Sequence, residues 1–262
     1  DSAPGKILHE IRLGEMAACG EIPHTPYYGT ADATPLFVFL AGAYLERTGD
    51  TDFMKTLWPH IERALGWIDT YGDIDADGFV EYLRGADSGL GNQGWKDSVD
   101  AISHHDGMLA EGSIALCEVQ GYVYAARRAG ALIARALGMP DRATALMQQA
   151  EQLKRLFNDV FWQEDMGAYA LALDGKKNPC RVRASNAGHL LFCGIVPEDR
   201  AARVADMLMA EDMFSGFGIR TLSSREKRYE PVKNPQGYHN GTVWTHDTAI
   251  CAAGLAKYGF ED

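Results

Sequence analysis

The feature that most constrains the fold is a series of helical segments joined by alternately short and long links. From Phe53 to Ile68 the large apolar residues recur at intervals of three and four, which is the spacing of one face of a helix. Segments joined by a link of a few residues are expected to form antiparallel hairpins. Because the links between hairpins are much longer, the pattern predicts helices that wind around a ring, with the long loops gathered on one face.

Seven helical segments are predicted. Asp32 and Thr51 are expected to cap the first two, since both residue types accept hydrogen bonds from a helix N-terminus. A short strand from Phe79 to Tyr82 and a hairpin-like stretch at 168–175 are expected within the loops. No βαβ alternation is visible, which disfavours a Rossmann fold or a TIM barrel. The predicted helices are residues 33–47, Thr51 to Ile68, Glu111 to about Leu137, Pro140 to about Trp162, 185–194, 198–210 and 243–258.

The pattern as a whole predicts an all-α fold, a helical toroid with short β-hairpins in its long loops. We expect one domain over residues 1–262. Seven helices do not close a double ring of twelve, and the first residues look like the middle of a loop. The sequence is therefore expected to be an incomplete toroid, part of a longer domain.

Charge and cysteine content restrict the partners and the compartment. A formal net charge of −11 and a pI near 5.2 argue against nucleic acid and anionic membranes as partners. The five cysteines are scattered without a CxxC pair, which is typical of a reduced protein rather than a disulfide scaffold. No apolar run is as long as a membrane span, and no signal peptide is recognisable at the start. We expect a cytoplasmic protein.

One segment, Asp73-Ile74-Asp75-Ala76-Asp77-Gly78, has the spacing that opens a calcium-binding loop. The complete motif needs a glutamate at its twelfth position, and that position is Arg84 here. A tight turn into the strand that follows is the preferred interpretation.

Three long loops carry most of the unusual residues: Glu21 to Asp32, Gln93 to Asp106, and Tyr238 to Asp247. Each combines aromatic rings with hydrogen-bonding groups, as a carbohydrate cleft does, because a ring covers the apolar face of a sugar. Structural alternatives remain open for some of these residues. Asp32 suits a helix cap equally well, Tyr28 can pack beneath its loop, and Asp247 can complement the dipole of the helix that it begins.

Metal and nucleophilic-residue catalysis are disfavoured by the same loops. His104-His105-Asp106 and His239 with His246-Asp247 offer ligand atoms, but there is no HExxH motif and adjacent histidines usually point apart. No GxSxG elbow is present, and no cysteine lies in a polar loop beside a histidine. We predict neither a metal site nor a cofactor.

Five motifs occur in a fixed order along the chain. They are Tyr28-Gly29-Thr30-Ala31-Asp32-Ala33-Thr34-Pro35-Leu36-Phe37, Thr48-Gly49-Asp50, Asp75-Ala76-Asp77-Gly78, Asn92-Gln93-Gly94-Trp95-Lys96-Asp97-Ser98 and Tyr238-His239-Asn240-Gly241-Thr242-Val243-Trp244-Thr245-His246-Asp247. Together they resemble one family of glycoside hydrolases, the amylo-α-1,6-glucosidase (glycogen-debranching-like) family. The resemblance implies an (α/α)6 toroid, the six-hairpin glycosidase fold, and inverting hydrolysis of α-glucosidic bonds by two carboxylic acids. An α-glucan or oligosaccharide would be the substrate.

The resemblance also implies roles for single residues. Asp97 matches the family's proton donor, whereas the base is expected on a glutamate beyond the last residue, in a context that Glu230 does not match. Thr245 occupies a position that is often proline in relatives. The expected substrate-binding residues are Tyr28, Asp32, Gln93, Trp95, Lys96, His239, Asn240, Trp244, His246 and Asp247.

Elementary electrostatics agrees with a donor role for Asp97. Packing by Trp95 would desolvate the carboxyl and raise its pKa, which suits a group that must give up a proton. We expect Asp97, Trp95, Tyr28, Trp244 and His246 to converge on one concave face, with Lys96 turned toward sugar hydroxyls or a neighbouring carboxylate. Two alternatives remain open: a sugar-binding scaffold without turnover, and a toroid lyase or epimerase that uses tyrosine and histidine.

Overall fold

The computed structural model describes residues 3–21, 26–84, 89–231 and 238–261. Residues 22–25 of the first predicted loop, including His24, lie outside the described part. The helices are α1 (Glu15–Ala18), α2 (Ala33–Thr48), α3 (Thr51–Trp67), α4 (Cys117–Ala136), α5 (Pro140–Val160), α6 (Asn186–Cys193), α7 (Glu198–Met209) and α8 (Thr245–Lys257), and a π-helical turn, Ile68–Gly72, continues α3. The strands have two residues each: β1 (Ala115–Leu116), β2 (Trp162–Gln163), β3 (Ala168–Tyr169) and β4 (Ala172–Leu173).

The helices form two layers. The helices α2, α4, α6 and α8 lie side by side in that order and are called the inner helices below. The outer helices α3, α5 and α7 each pack against the inner helix that precedes them. Since hairpin partners are antiparallel, the inner helices run parallel and begin at the same end. This two-layer arrangement is that of the predicted class, an incomplete (α/α)6 toroid.

Close approach between inner helices depends on small residues. A Cβ at Gly42 would lie 2.5 Å from the Cβ of Ala129, where α2 meets α4. A Cβ at Gly254 would lie 2.7 Å from the Gly188 carbonyl oxygen, where α8 meets α6. The inner layer is therefore packed backbone against backbone, and this packing holds the starts of its helices close together.

The start of α4 differs from the prediction. The helix begins at Cys117 rather than Glu111, because the preceding residues bond to other strands. Ile114 forms an antiparallel bridge with Tyr82, and β1 pairs antiparallel with β4 through Ala115–Leu173. Of the strand predicted from Phe79 to Tyr82, only Tyr82 forms a β-bridge. The second ladder, β2 with β3, is antiparallel too.

Of the two predicted helix caps, one has the right position and the other is wrong. Asp32 is the N-cap residue of α2, but its carboxylate bonds to the Thr30 hydroxyl and makes no capping hydrogen bond. At α3 the cap is Asp50, whose Oδ1 accepts from the Phe53 N–H at 2.9 Å, and Thr51 is the first helical residue. A one-turn helix that was not predicted, α1, lies just before the first long loop.

The buried interior is continuous and apolar, and its fully enclosed side chains come from both layers and from the β4 segment. Among the described residues, no helix is both long enough and apolar enough to cross a bilayer. The largest enclosed side chains include Phe157, Phe161, Met54, Ile61, Leu116, Leu146 and Leu173.

Candidate active site

The candidate site lies where the inner helices begin. Asp32 precedes α2, Glu118 is in the first turn of α4, Asn186 begins α6, and Asp247 is in the first turn of α8. All four side chains are buried. The parallel inner helices therefore direct their positive N-terminal ends toward a common region, which stabilises acidic groups there.

The loop that carries Asp97 is held from both sides. The Asn92 amide donates to the Ser98 carbonyl at 2.5 Å and accepts from the Tyr82 hydroxyl at 2.7 Å. The Ala31 N–H donates to the Gln93 carbonyl at 2.8 Å, which ties the loop to the start of α2. A side chain on Gly94 would come within 2.3 Å of Leu116, so glycine is needed there. The loop is thus closed on itself and pressed against the start of α4.

Five rings pack together beside this loop, and we call them the aromatic cluster: Trp95, Tyr238, His239, Trp244 and His246. The Trp95 centroid lies 5.5 Å from that of His239, 6.2 Å from Trp244 and 5.0 Å from His246, all with edge-to-face geometry. His239 stacks on Trp244 at 5.1 Å. Tyr238 and His246 are exposed, so the cluster is accessible from solvent.

Asp97 lies at the edge of the aromatic cluster. Its side chain is 44% exposed, and its Oδ1 is 3.9 Å from His239 Nδ1. Partial burial raises the pKa of Asp97, while His9 acts in the opposite direction. Burial, together with Lys96, lowers the pKa of His239 to about 4, so its imidazole is neutral near neutral pH. The neighbour of Asp97 therefore does not hold the carboxyl in its ionised form.

Lys96 supports the aromatic cluster from below. It is 2% exposed, its Nζ donates to the Thr221 carbonyl at 2.5 Å, and the same atom lies 5.2 Å from the Trp95 ring centroid. Burial lowers the pKa of Lys96, and Asp247 and Glu118 oppose that shift. Of the two expected surroundings of Lys96, sugar hydroxyls or a neighbouring carboxylate, the second agrees with this position, because the ammonium lies among buried carboxylates and beside the indole.

A buried hydrogen-bonded triad underlies Trp95. The Tyr122 hydroxyl lies 2.5 Å from His189 Nδ1, and His189 Nε2 lies 2.8 Å from Asp247 Oδ1. Burial raises the pKa of Tyr122, so its hydroxyl keeps its proton and donates a hydrogen bond to His189 Nδ1. The other ring nitrogen, Nε2, then carries the proton and donates a hydrogen bond to Asp247. Trp95 stacks on His189 at 5.9 Å with an interplanar angle of 8°.

Tyr122, His189 and Glu118 were not predicted from the sequence as site residues. Each lies on a helix whose apolar spacing predicts a buried position, and the hydrogen-bond partners of Tyr122 and His189 are distant in the sequence. The available signal was a polar side chain in an otherwise apolar helical turn, as in Ala187-Gly188-His189-Leu190. His189 and Asp247 lie close to Cys251, but both ring nitrogens already have hydrogen-bond partners and burial raises the pKa of the Cys251 thiol well above its usual value.

Three further predicted residues, Tyr28, Gln93 and Asn240, lie outside the aromatic cluster. Tyr28 and Gln93 line a cavity of about 510 Å³ next to the loop that carries Asp97, together with Trp67 and Tyr71. The contacts above bring Trp95, Asp97, Trp244 and His246 together, whereas Tyr28 borders this neighbouring cavity. Asn240 is buried and its side-chain amide donates to the Asp100 carbonyl at 3.3 Å, which joins the second and third loops.

Two layers of helical hairpins, with a half-buried acid and exposed rings at the end where the inner helices begin, are the arrangement of an (α/α)6-type helical toroid. The model of the mannosylglycerate hydrolase MGH1-like glycoside hydrolase domain matches residues 16–262. The chain belongs to this family.

Solved structures show the same fold at low sequence identity. The GH63 mannosylglycerate hydrolase from Thermus thermophilus in complex with glucose is 16% identical, with a TM-score of 0.66 over 91% of this chain and 66% of that chain. A sialidase is 18% identical, with a TM-score of 0.66 over 84% of this chain and 19% of that one. A rhamnosidase from Klebsiella oxytoca with rhamnose bound is 18% identical, with a TM-score of 0.56 over 89% of this chain and 36% of that one.

This chain thus spans between 19% and 66% of the lengths of these three structures. No curated protein sequence matches it significantly. The six-hairpin glycosidase class predicted from the motifs is confirmed. The matching family is not the amylo-α-1,6-glucosidase family, so specificity for α-1,6 linkages stays a prediction.

Proposed function

We propose that this chain carries the proton donor of an inverting glycoside hydrolase that cleaves α-glucosidic linkages, and that Asp97 is the donor. The observation that carries the proposal is the position of Asp97, half-exposed beside an accessible aromatic cluster. A raised pKa at that position supports it, because a donor must hold its proton at the working pH.

In this mechanism Asp97 protonates the glycosidic oxygen as the bond to the anomeric carbon breaks. A second carboxylate, about 6.5–9.5 Å away, removes a proton from the attacking water on the opposite face of the sugar. Glu118 and Asp247 are only 1% and 0% exposed, which argues against either as that base. We propose that the base is a glutamate outside this chain, in keeping with the motif resemblance.

The aromatic cluster would bind the sugar ring. Trp244 and Tyr238 offer apolar faces, and the exposed His246 offers ring nitrogens to hydroxyl groups. His239, Asn240, Asp32 and Gln93 would keep the loops in register around that subsite. In this assignment Lys96 and Asp247, which are closed off from solvent, act by positioning Trp95.

The electrostatics at the aromatic cluster supports an uncharged sugar ring there. One structure of the Thermus thermophilus mannosylglycerate hydrolase contains D-glycerate, which is an anion. A carboxylate ligand calls for an accessible cation. Among the described residues in contact with Trp95, the cation is Lys96, and its ammonium is buried and bonded to Thr221. Lys6 and Arg84 line the neighbouring cavity of about 510 Å³, so this preference for a neutral ring is limited to the aromatic cluster. Neutral α-1,6-linked glucans are the first compounds to assay, with glycerate-bearing glycosides as the comparison.

The test is Asp97→Asn in the full-length protein, with Asp106→Asn as the matched control. Asp106 is an exposed carboxylate of the same loop region. Loss of general-acid catalysis should lower kcat on α-1,6- and α-1,4-linked glucosides by roughly 10²–10⁴-fold, while Asp106→Asn keeps wild-type rates. Proton NMR of the first-formed anomer distinguishes inversion from retention. Equal activity in Asp97→Asn and wild type removes Asp97 from the mechanism.

The alternative function is sugar binding without turnover, and the burial of the nearby carboxylates favours it. Calorimetry would then show glucan binding with no released sugar in either variant. A lyase or epimerase is distinguished by its products, since hydrolysis incorporates one oxygen from ¹⁸O-water and those reactions do not.

A further inference from the structure

The segment Asp73–Gly78 forms a tight turn that is held by its own carboxylates. The Asp73 carboxylate accepts from the N–H groups of Asp77 at 3.0 Å and Gly78 at 2.9 Å. Asp77 Oδ1 accepts from the Phe79 N–H at 2.9 Å. One carboxylate oxygen from each of Asp73, Asp75 and Asp77 lies within 4.8 Å of the others. The turn therefore concentrates negative charge that needs a cation.

The ammonium of Lys177 occupies this point. Its Nζ lies 2.8 Å from Asp75 Oδ2 and 2.6 Å from Asp77 Oδ2, and it also bonds to Glu81 Oε1. Lys177 lies in the turn after β4 and is held at a φ of 63°, in the left-handed region that side-chain-bearing residues rarely adopt. The chain thus accepts an uncommon backbone conformation at the residue that delivers the cation.

The Glu81 carboxylate is a second observation that indicates a cation at the position of the Lys177 ammonium. Its side chain is 0% exposed and Oε2 has no hydrogen-bond partner, while Oε1 bonds to the same ammonium. A fully buried carboxylate with one oxygen unpaired strongly favours a nearby positive charge. Counted from Asp73, Glu81 is the ninth position, and Asp75, Asp77 and Gly78 stand at the third, fifth and sixth positions of a calcium loop.

We propose that Asp73, Asp75, Asp77 and Glu81 form a divalent-cation site in which the Lys177 ammonium takes the place of the metal, so that removal of this ammonium creates a calcium site. Calcium takes six to eight oxygen ligands, and four carboxylates with water molecules supply that number.

Hydrogen bonds connect this site to the loop that carries Asp97. Glu81 is adjacent to Tyr82, whose hydroxyl holds Asn92, and Asn92 in turn holds the Ser98 carbonyl next to Asp97. On the other side, the Gly175 N–H donates to the Glu111 carbonyl at 2.8 Å. Lys177 therefore joins the segment before the Asp97 loop to the β4 turn.

The first test is Lys177→Met, with Lys176→Met as the matched control on an exposed neighbouring lysine. In EDTA, uncompensated carboxylates should lower the Tm of Lys177→Met by roughly 5–10 °C, and Lys176→Met should match wild type. About 10 mM CaCl2, above the Kd of weak calcium sites, should restore most of the loss. The wild-type Tm should not respond to calcium or EDTA.

A charge cycle with Asp77→Asn separates this proposal from a simple packing effect. Asp77→Asn should lower the Tm of wild type, where it removes a partner of Lys177. In Lys177→Met the same change should raise the Tm in EDTA, because it relieves repulsion, and should abolish the calcium response.

The proposal is overturned by a Lys177→Met protein whose Tm equals that of wild type, or that gains no stability from calcium. A wild-type Tm that rises equally with calcium also overturns it, since the ammonium would then not occupy the site. If Lys177→Met does not fold in EDTA, it is produced in calcium. Folding there with unfolding on chelation supports the proposal, and failure in both media contradicts it.

Discussion

At the scale of single residues, burial decides which groups at the site carry charge. His239 is 3% exposed and Asp97 is partly exposed, and burial favours the neutral form of both. The imidazole next to Asp97 is therefore a neutral hydrogen-bond partner of Ser98, at 2.8 Å, rather than a cation. A carboxyl in these surroundings keeps its proton to a higher pH than an exposed aspartate does.

The depressed pKa of His239 predicts acid sensitivity of the fold. Its value is about 4 in the folded chain against 6.5 as reference, so the unfolded chain binds an extra proton between those pH values. Stability from this group is complete above pH 6.5 and is lost as the pH falls toward 4. After allowance for solvent screening, the loss should be about 1–2 kcal/mol.

Urea unfolding of wild type and His239→Gln at both ends of that window measures the effect. Between the two pH values, the free energy of unfolding of His239→Gln should fall less than that of wild type. His105 is an exposed histidine, so the free energy of unfolding of His105→Gln should fall as much as that of wild type. Parallel curves for wild type and His239→Gln would show that His239 titrates normally.

At the scale of secondary-structure elements, the triad ties three inner helices together. Tyr122 lies on α4, His189 on α6 and Asp247 on α8. Tyr122→Phe leaves His189 Nδ1 buried without its donor, which should destabilise the fold by about 1–3 kcal/mol. Thermal unfolding of this variant against Tyr124→Phe on the same helix is the measurement.

A second comparison shows whether the triad acts as a unit. Because Tyr122 and Asp247 share His189, Tyr122→Phe and Asp247→Asn should be non-additive by about 0.5–3 kcal/mol. Additive losses would mean that the two hydrogen bonds act separately. Trp95 fluorescence should also change in both variants, since the indole stacks on His189.

The space around two helical glycines, Gly254 in α8 and Gly66 in α3, predicts opposite effects of substitution by alanine. A Cβ at Gly254 would lie 2.7 Å from the Phe192 nitrogen, a backbone atom that cannot move aside, so Gly254→Ala should destabilise by about 1–3 kcal/mol. Gly66 in α3 has open space around its Cβ position, so Gly66→Ala should stabilise by about 0.4–1 kcal/mol. Chemical denaturation of both variants checks the signs, and a stable Gly254→Ala protein would contradict the close packing.

Local patterns predicted the elements but not all of their contacts. α3, α5 and α7 follow from apolar spacing, because an outer helix has one buried face. The start of α4 was missed, since Ile114 and Ala115 bond to Tyr82 and Leu173, which are distant in the sequence. The role of His189 depends on a partner 58 residues away. A polar residue in an apolar helical turn signals that some partner exists but does not identify it.

At the scale of the whole molecule, the five thiols predict a simple chemical titration. Cys19 is exposed, whereas Cys117, Cys180, Cys193 and Cys251 are buried and free. Because thiolates are the reactive form, burial should protect the four. Ellman's reagent should react rapidly with one thiol in the native protein, with none in Cys19→Ser, and with all five in denaturant. Rapid native reaction at a second thiol would show that the interior opens.

The burial of Lys96 has a consequence for synthesis of the chain on the ribosome. Asp247, the anion with the largest stabilising effect on the Lys96 ammonium, is made some 150 residues after it. Until α8 has been made, that ammonium lacks its strongest anionic partner, and Trp95 beside it has no contact with Trp244 or His246. The helices that precede α8 can form early, but the loop that carries Asp97 reaches its final position only when α8 packs against α6.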